Sequence, residues 1–304
     1  MKFHPCILFL TFCGISAVGA EETNPASLTA LQAASGQGEA EALFQQARAY
    51  LRGEGVPKDA NKALELMKAA AAQGHAEALG GVGYFYSNGI AVAKDEKQAV
   101  EWFRKGAEAG SSKAQLNLGK TLLIGKDVES KDTDPVRDEA LQWIKKSADQ
   151  GLPEAGLSYG RILYFGDYGV PKDVKAALAY LKPVADSGVA DAQNILGAIY
   201  QNGPGVTIDE NTAMQWYRKA ALQGYIKAQS NLGALMGPLV ENKETRIEAL
   251  AWLVIAADQG DVFAKKSLDQ AIPELKAGDL NEARRKAAEL RKIVRIEANP
   301  KAAN

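Results

Sequence analysis

Apolar residues recur at helical spacing in pairs of short segments, and a glycine-containing turn separates the two segments of each pair. The pattern is clearest in residues 189–224. The first apolar stripe of this segment consists of Ala192, Ile195, Leu196, Ile199 and Tyr200, and the second of Ala213, Trp216, Tyr217 and Ala220. Both stripes follow the spacing of an amphipathic helix, and residues 202–205 between them are helix breakers. The pattern therefore predicts two helices joined by a tight turn.

This two-helix pattern occurs six times. Each copy ends in a glycine, and successive terminal glycines lie 36, 41, 37, 36 and 36 residues apart. These glycines are Gly74, Gly110, Gly151, Gly188, Gly224 and Gly260. Eight residues before each of them stands a large apolar side chain, a position that holds all four tryptophans: Leu66, Trp102, Trp143, Tyr180, Trp216 and Trp252. Self-similarity at this period is typical of a helical repeat array.

Small and polar residues mark the expected helix ends and helix contacts. An aspartate precedes several second helices, where its carboxylate can accept hydrogen bonds from unpaired backbone N–H groups. Each terminal glycine is expected to adopt a positive φ as a C-cap. The first helices of the second to sixth repeats carry a central glycine, which costs about 1 kcal/mol relative to alanine and so indicates close helix packing; the first repeat has Ala47 at this position. The aspartates are Asp59, Asp95, Asp173 and Asp209, and the central glycines Gly83, Gly119, Gly160, Gly197 and Gly233.

The repeats resemble the Sel1-like repeat family, a relative of the tetratricopeptide repeats. In the fifth repeat the family pattern is carried by Ala192, Leu196, Gly197, Tyr200, Gly203, Gly205, Val206, Asp209, Ala213, Trp216, Tyr217, Lys219, Ala220, Ala221 and Gly224. The resemblance implies an all-α, right-handed α-solenoid of about six helix-turn-helix repeats with a C-terminal capping helix. It also implies first helices that line a concave face, and a role as an adaptor in the bacterial envelope.

The repeat pattern predicts a division of the whole chain. We expect a signal peptide at 1–20, a flexible segment at 21–37, repeats at 38–74, 75–110, 111–151, 152–188, 189–224 and 225–260, capping helices at 261–296 and a disordered tail at 297–304. The longer loop of the third repeat, 125–135, is charged and is expected to be exposed and mobile.

The N-terminus has the pattern of a secretory signal peptide. Lys2 precedes fifteen apolar or small residues at 6–20, and the last three of these fit a cleavage site after Ala20. A membrane anchor is the alternative, but fifteen residues fall short of the roughly 20 needed to span a bilayer. Phe12 before Cys13 argues against a lipoprotein. We therefore expect a periplasmic or secreted protein with no stable membrane insertion after cleavage.

Composition narrows the chemistry that the chain can perform. The formal net charge of the chain is -1, which gives no electrostatic reason to expect nucleic acid as a partner. Cleavage of the signal peptide would remove both cysteines, Cys6 and Cys13, and leave His75 as the only histidine. A disulfide-free exported protein must be held together by packing or by partners.

Rows of side chains on the first helices are the candidate binding site. The row that follows the central position reads Arg48, Tyr84, Lys120, Arg161, Ala198 and Ala234. With neighbouring polar and aromatic positions, the predicted partner-binding residues are Arg48, Tyr84, Lys120, Arg161, Tyr164, Asn194 and Gln201. Arginine and tyrosine are enriched at binding hot spots, and a basic groove suits an acidic peptide or an anionic glycan. The alternative is that these residues are merely solvated helix faces.

A second candidate surface is the last helix, where seven basic and three acidic residues fall between Leu280 and Lys301. This segment fits either a solvated cap or a docking site for an acidic partner. The sequence does not decide between them.

Catalysis has little support in the sequence. Without cysteine and with one histidine, the mature chain can form neither a Cys–His pair nor a histidine-rich metal cluster. His75 follows Gly74 and is expected to be an exposed turn residue. We therefore expect no catalytic residue, no metal site and no cofactor. The sequence favours an exported protein that binds a protein partner as a scaffold or regulator. The alternatives are a glycan-binding component of envelope or exopolysaccharide assembly and, third, a carboxylate-only hydrolase.

Overall fold

The structure, a computed structural model, describes residues 37–124, 126, 134–238 and 240–298. The predicted leader at 1–20, nearly all of the predicted flexible segment at 21–37, most of the loop at 125–135 and the tail from 299 onward lie outside the described residues. Within the described ranges the chain forms fourteen α-helices, two short 3-10 turns and no β-strand. The all-α repeat class expected from the sequence is confirmed.

Each predicted repeat contains one pair of helices. The first helices are α1 (Gln37–Arg52), α3 (Ala76–Asn88), α5 (Ser112–Leu122), α7 (Pro153–Phe165), α9 (Ala190–Asn202) and α11 (Ile226–Met236). The second helices are α2 (Ala60–Ala72), α4 (Glu96–Glu108), α6 (Pro135–Asp149), α8 (Val174–Asp186), α10 (Glu210–Leu222) and α12 (Lys243–Asp258). They are followed by α13 (Val262–Ala271) and α14 (Asp279–Ala298), which we call the C-terminal cap.

The contacts divide the chain into two compact units. Unit 1 contains the described residues up to Ala155 and the segment Asp167–Gly169, and unit 2 contains Gly156–Gly166 and the described residues from Val170 onward. In unit 1 each helix from α1 to α6 packs against the next, and α3 also contacts α5. The core of this unit includes the fully buried side chains of Phe85, Leu118 and Ile144.

Unit 2 repeats the same packing from α8 to α13, and its core surrounds the fully buried Trp252 and Tyr217. Its last helix departs from the repeat pattern. Helix α14 packs against α12 and also contacts α10.

The helix caps expected from the sequence are confirmed. The Asp59 carboxylate accepts from the Lys62 N–H at 3.0 Å, and Asp95, Asp173 and Asp209 make the same bond at 3.0, 2.8 and 3.0 Å. All six terminal glycines have positive φ, between 81° and 99°. Because these caps satisfy backbone groups that a helix end leaves unpaired, they fix where each helix begins and ends.

The central glycines allow the close approach that the sequence predicts. A Cβ atom on Gly83 would lie 2.6 Å from a ring carbon of Phe103, and one on Gly233 would lie 2.7 Å from the Ala249 carbonyl oxygen. Real Cβ atoms do not come this close to other heavy atoms. The five first helices that carry a central glycine, α3, α5, α7, α9 and α11, therefore pack on their second helices at a distance that a larger residue would increase.

Candidate partner-binding surface

In unit 1 the predicted binding residues are Arg48 on α1, Tyr84 on α3 and Lys120 on α5. We call these three residues the unit 1 row. Each is partly buried and directly follows the central position of its first helix. Since α3 packs against α5, equivalent positions on these two helices lie on the same side of the stack.

Two cations in the unit 1 row have no ion-pair partner among the described residues. The Arg48 guanidinium donates to the Gln45 side chain at 3.1 Å and lies 5.7 Å from the centroid of the Phe44 ring. Burial lowers the pKa of Lys120, and the nearby carboxylate of Glu154 acts in the opposite direction. A partly desolvated cation with no carboxylate at ion-pair distance is a favourable place for an anionic group to bind.

In unit 2 the cation at the equivalent position, Arg161, does have an ion-pair partner. The Arg161 guanidinium forms an ion pair with Asp191, and the same carboxylate accepts from the Tyr225 hydroxyl at 2.7 Å. These contacts link the first helices of three successive repeats. The charge of Arg161 is therefore already compensated within the chain.

The other predicted residues of unit 2 are also partly buried and engaged. Burial raises the pKa of Tyr164. The Asn194 side-chain oxygen accepts from the Asn231 amide at 3.0 Å, and the Gln201 oxygen accepts from the Tyr217 hydroxyl at 2.8 Å. The structure thus brings two of the predicted amides into hydrogen-bonded pairs with neighbouring residues.

Charged side chains on the first helices follow a pattern that relates each repeat to the next. Each row residue is matched by one residue of the next repeat. The matched residue stands three positions after the glycine that ends the repeat of the row residue. In the first five repeats the matched residue is acidic where the row residue is basic, and lysine where the row residue is neutral; Ala234 of the sixth repeat is matched by Phe263. The pairs are Arg48 with Glu77, Tyr84 with Lys113, Lys120 with Glu154, Arg161 with Asp191, and Ala198 with Lys227. In the described residues only the Arg161 pair reaches ion-pair distance.

His75 is not the exposed turn residue that the sequence predicts. Its side chain is 11% exposed and stacks on the Phe44 ring with 4.6 Å between centroids. Its Nδ1 accepts from the Ala78 N–H at 3.2 Å, so the neutral ring carries its proton on Nε2, which lies 2.8 Å from Glu41 Oε2. This hydrogen bond also lowers the pKa of Glu41. His75 therefore caps α3 and joins it to α1.

Buried glutamines form an inter-helix contact that the sequence analysis missed. In three repeats a glutamine on the first helix donates to a carbonyl eight residues earlier and accepts from a glutamine that precedes the terminal glycine. We call this arrangement the glutamine clasp. The pairs are Gln115 with Gln150, Gln193 with Gln223, and Gln229 with Gln259. The recurrence of both glutamines in the same three repeats was the available signal.

The described residues contain no group of three or more histidine, cysteine, aspartate or glutamate side chains placed to hold a metal ion. No helix among them combines the length and the apolar character that a membrane span requires.

Comparison with known protein families gives six matches along the chain. A family described as Sel1 repeat matches residues 40–75, 76–111, 112–152, 153–189, 190–225 and 226–261. No protein with a curated description matches the sequence.

The solved structures that are similar to the chain include two with nearly 30% sequence identity. A protective antigen from uropathogenic Escherichia coli that displays an SLR fold is 28% identical, with a TM-score of 0.72. The match covers 94% of this chain but only 61% of the antigen's length. A Sel1 repeat protein from Oxalobacter formigenes is 29% identical, with a TM-score of 0.60, over 76% of this chain and 90% of that protein. The resemblance noted in the sequence is thus confirmed.

Proposed function

The chain belongs to the Sel1 repeat family, and from this premise we propose that it is an exported scaffold or regulator of the bacterial envelope. Members of the family are generally protein-interaction scaffolds and are typically non-catalytic. We further propose that the chain binds a protein partner through its first helices, on the face that the family resemblance predicts to be concave. An acidic peptide segment is the partner chemistry that the unit 1 row favours.

The observation that carries this proposal is the state of the two cations in the unit 1 row. Arg48 and Lys120 lack a carboxylate partner among the described residues, whereas Arg161 has one in Asp191. A partner's carboxylate would compensate the desolvation of Lys120 and could bind Arg48 through two hydrogen bonds.

Tyr84 lies at the equivalent position between Arg48 and Lys120 and adds an aromatic contact surface. Aromatic and arginine side chains supply much of the energy at protein interfaces, because they bury large areas and make directed bonds. The unit 1 row therefore combines two charges that need a partner with one aromatic anchor.

A glycan ligand is the alternative function, and it depends on Tyr164, Asn194 and Gln201. Sugars bind to aromatic platforms and to amides with free donors and acceptors. Here the side-chain oxygens of Asn194 and Gln201 already accept from Asn231 and Tyr217. A sugar would compete with these internal bonds, which favours a protein partner.

Export to the periplasm or the medium is part of the proposal and depends on the leader at 1–20. The leader carries a positive residue, an apolar stretch and a small-residue cleavage site. Partners are therefore expected among envelope proteins.

The test is an affinity capture from the bacterial envelope fraction, using protein produced at full length in a host that exports it. One dominant captured protein should be lost when Arg48→Glu and Lys120→Glu are combined. Arg161 is left unchanged, because its reversal would break the link to Asp191. The matched control combines Lys97→Glu and Lys175→Glu, which reverse two exposed lysines near the starts of second helices.

The control should leave capture unchanged, and circular dichroism should show equal helicity in all three proteins. Capture that survives the Arg48 and Lys120 reversal would overturn the assignment of the surface. If no protein is captured while a polysaccharide array gives binding, the glycan alternative replaces the protein partner.

A further inference from the structure

The C-terminal cap begins like a seventh repeat but does not complete it. Helix α13 follows the terminal Gly260 and packs against α12 and α11, as a first helix does. It has no second helix of its own, because α14 packs against α12 and α10 instead. A cleft of about 310 Å³ lies between α13 and α14, and residues of α12 form its base.

Ion pairs at both ends hold α14 beside α12. The buried guanidinium of Arg246 donates to the buried carboxylate of Asp279 at 2.7 Å, which joins the start of α12 to the start of α14. Arg291, which lies beyond the middle of α14, forms an ion pair with Asp258, the last residue of α12. Helix α14 therefore runs parallel to α12 and leaves one side of α13 uncovered.

The cleft combines an apolar floor with a charged rim. Its lining residues are Val254, Ala257, Asp258, Lys265, Leu268, Asp269, Ile272, Leu280 and Arg284. Asp258 and Asp269 are neutralised by ion pairs with Arg291 and Lys265, whereas Arg284 has no ion pair with any described residue. Ile272 is 43% exposed at the rim.

The unpaired charges of the cap are nearly all positive. Among residues 262–294, which comprise α13, the connection and most of α14, five cations lack an ion pair, and Glu274 is the one acidic side chain that has neither an ion pair nor a capping bond. The five cations are Lys266, Lys276, Arg284, Arg285 and Lys292. A ligand that carries negative charge and apolar side chains should therefore bind to this region more tightly than a neutral or basic ligand.

We propose that the cap of unit 2 binds an acidic amphipathic helix of a partner protein in this cleft. The occupant is a helix because a second helix covers each of the six other first helices. Its apolar stripe contacts Leu268, Ile272 and Ala257, and its acidic face lies against Arg284. This site involves none of the residues of the unit 1 row and goes beyond the function proposed above.

The test uses two labelled peptides and fluorescence anisotropy with the exported full-length protein. The acidic probe has the sequence of residues 210–222, the second helix of the fifth repeat, with Arg218→Glu and Lys219→Glu. The control probe is the unchanged sequence. The acidic probe should bind at least about tenfold more tightly, because it keeps the apolar stripe of a second helix and complements the charge of the cap.

Protein variants then locate the bound probe. Ala257→Phe fills the cleft with a side chain at a partly exposed position and should reduce affinity by at least about tenfold. Arg284→Glu should reduce affinity more than Arg285→Glu, which makes the same change of charge outside the lining. The combined reversal of Arg48 and Lys120 should leave binding unchanged.

Three results would overturn the proposal. The first is equal or absent binding of the two probes. The second is affinity that does not change in an Ala257→Phe protein whose circular dichroism is unaltered. The third is sedimentation that shows a dimer lost on the same substitution, which would assign the cleft to a second copy of this chain.

Discussion

Replacement of Gly119 by alanine tests whether the central glycines set the distance between first and second helices. On an ordinary exposed helix this change would be stabilising by about 1 kcal/mol, because alanine has the higher helix propensity. In α5 the added Cβ would lie 2.5 Å from Ile144 Cγ1 and 2.7 Å from the Ala140 carbonyl oxygen. The sign of the change therefore depends on whether α6 can move.

The contacts of Gly119 leave α6 little freedom. Ile144 is 1% exposed, and the Ala140 carbonyl oxygen belongs to the backbone of α6. The oxygen cannot rotate away without breaking the helix, so α5 and α6 must separate by several tenths of an ångström. Overpacking of this kind costs about 1–3 kcal/mol. Alanine regains about 1 kcal/mol in helix propensity, which offsets part of a packing cost of about 3 kcal/mol. Gly119→Ala should therefore lower the free energy of unfolding by about 2 kcal/mol.

Differential scanning calorimetry measures the effect as a fall in Tm of roughly 4–8 °C. The matched control is Gly81→Ala on α3, whose Cβ would meet the Met67 thioether, 2.6 Å away, rather than backbone. Methionine adapts easily, so this variant should melt within about 2 °C of the parent protein or above it. A Gly119→Ala protein that melts at or above the parent would refute the packing argument.

Three other predictions follow from separate features. Gln115→Met removes the amide that donates to the Ala107 carbonyl and should lower the free energy of unfolding by about 1 kcal/mol, as measured in urea, since that carbonyl keeps a backbone partner. The hydrogen bond from Arg246 lowers the pKa of Asp279 in the folded protein. The stabilisation from this pair is therefore fully present above the pKa of an unfolded aspartate, about 3.9, and is lost as the pH falls through the lowered pKa of the folded state. Asp279→Asn should therefore lower Tm at neutral pH and flatten its fall in acid. N-terminal sequencing of the exported protein should begin at Glu21, and retention of the first residues would contradict the predicted cleavage.

The architecture could be predicted from the sequence because its determinants are local. An aspartate at a helix start bonds to the N–H three residues later, and a terminal glycine adopts its positive φ without help from distant residues. The 36-residue period then requires neighbouring repeats to pack in the same way.

The state of the candidate side chains could not be predicted because it depends on contacts between repeats. Arg48, Lys120 and Arg161 occupy equivalent positions in their repeats, so the repeat pattern does not distinguish them. In the structure Arg161 reaches Asp191, whereas the other two cations have no such partner among the described residues. The distance to a carboxylate about thirty residues away decides whether each charge is available.

The burial of His75 could not be predicted for the same reason, because it also depends on a contact between repeats. The preceding Gly74 correctly indicates a turn, but a turn residue can still be covered by the preceding repeat. Here Phe44 and Glu41 of α1 cover the imidazole and bond to it. Neither contact has a local sequence signal, since Glu41 lies 34 residues away.

The uneven distribution of the glutamine clasp has a consequence for how the array opens. The third, fifth and sixth repeats have the clasp, but the fourth repeat has Gly156 and Ser187 at the two positions, and the second has Leu79 and Ala109. In a repeat array, stability is approximately a sum of terms between neighbours, so a repeat with fewer buried hydrogen bonds is a weak link. Amide protons in the helices of these two repeats, α3, α4, α7 and α8, should therefore exchange with solvent through local opening while the helices of the repeats with the clasp stay protected. The positions at which the array opens first are therefore expected to follow where the glutamine clasp is absent.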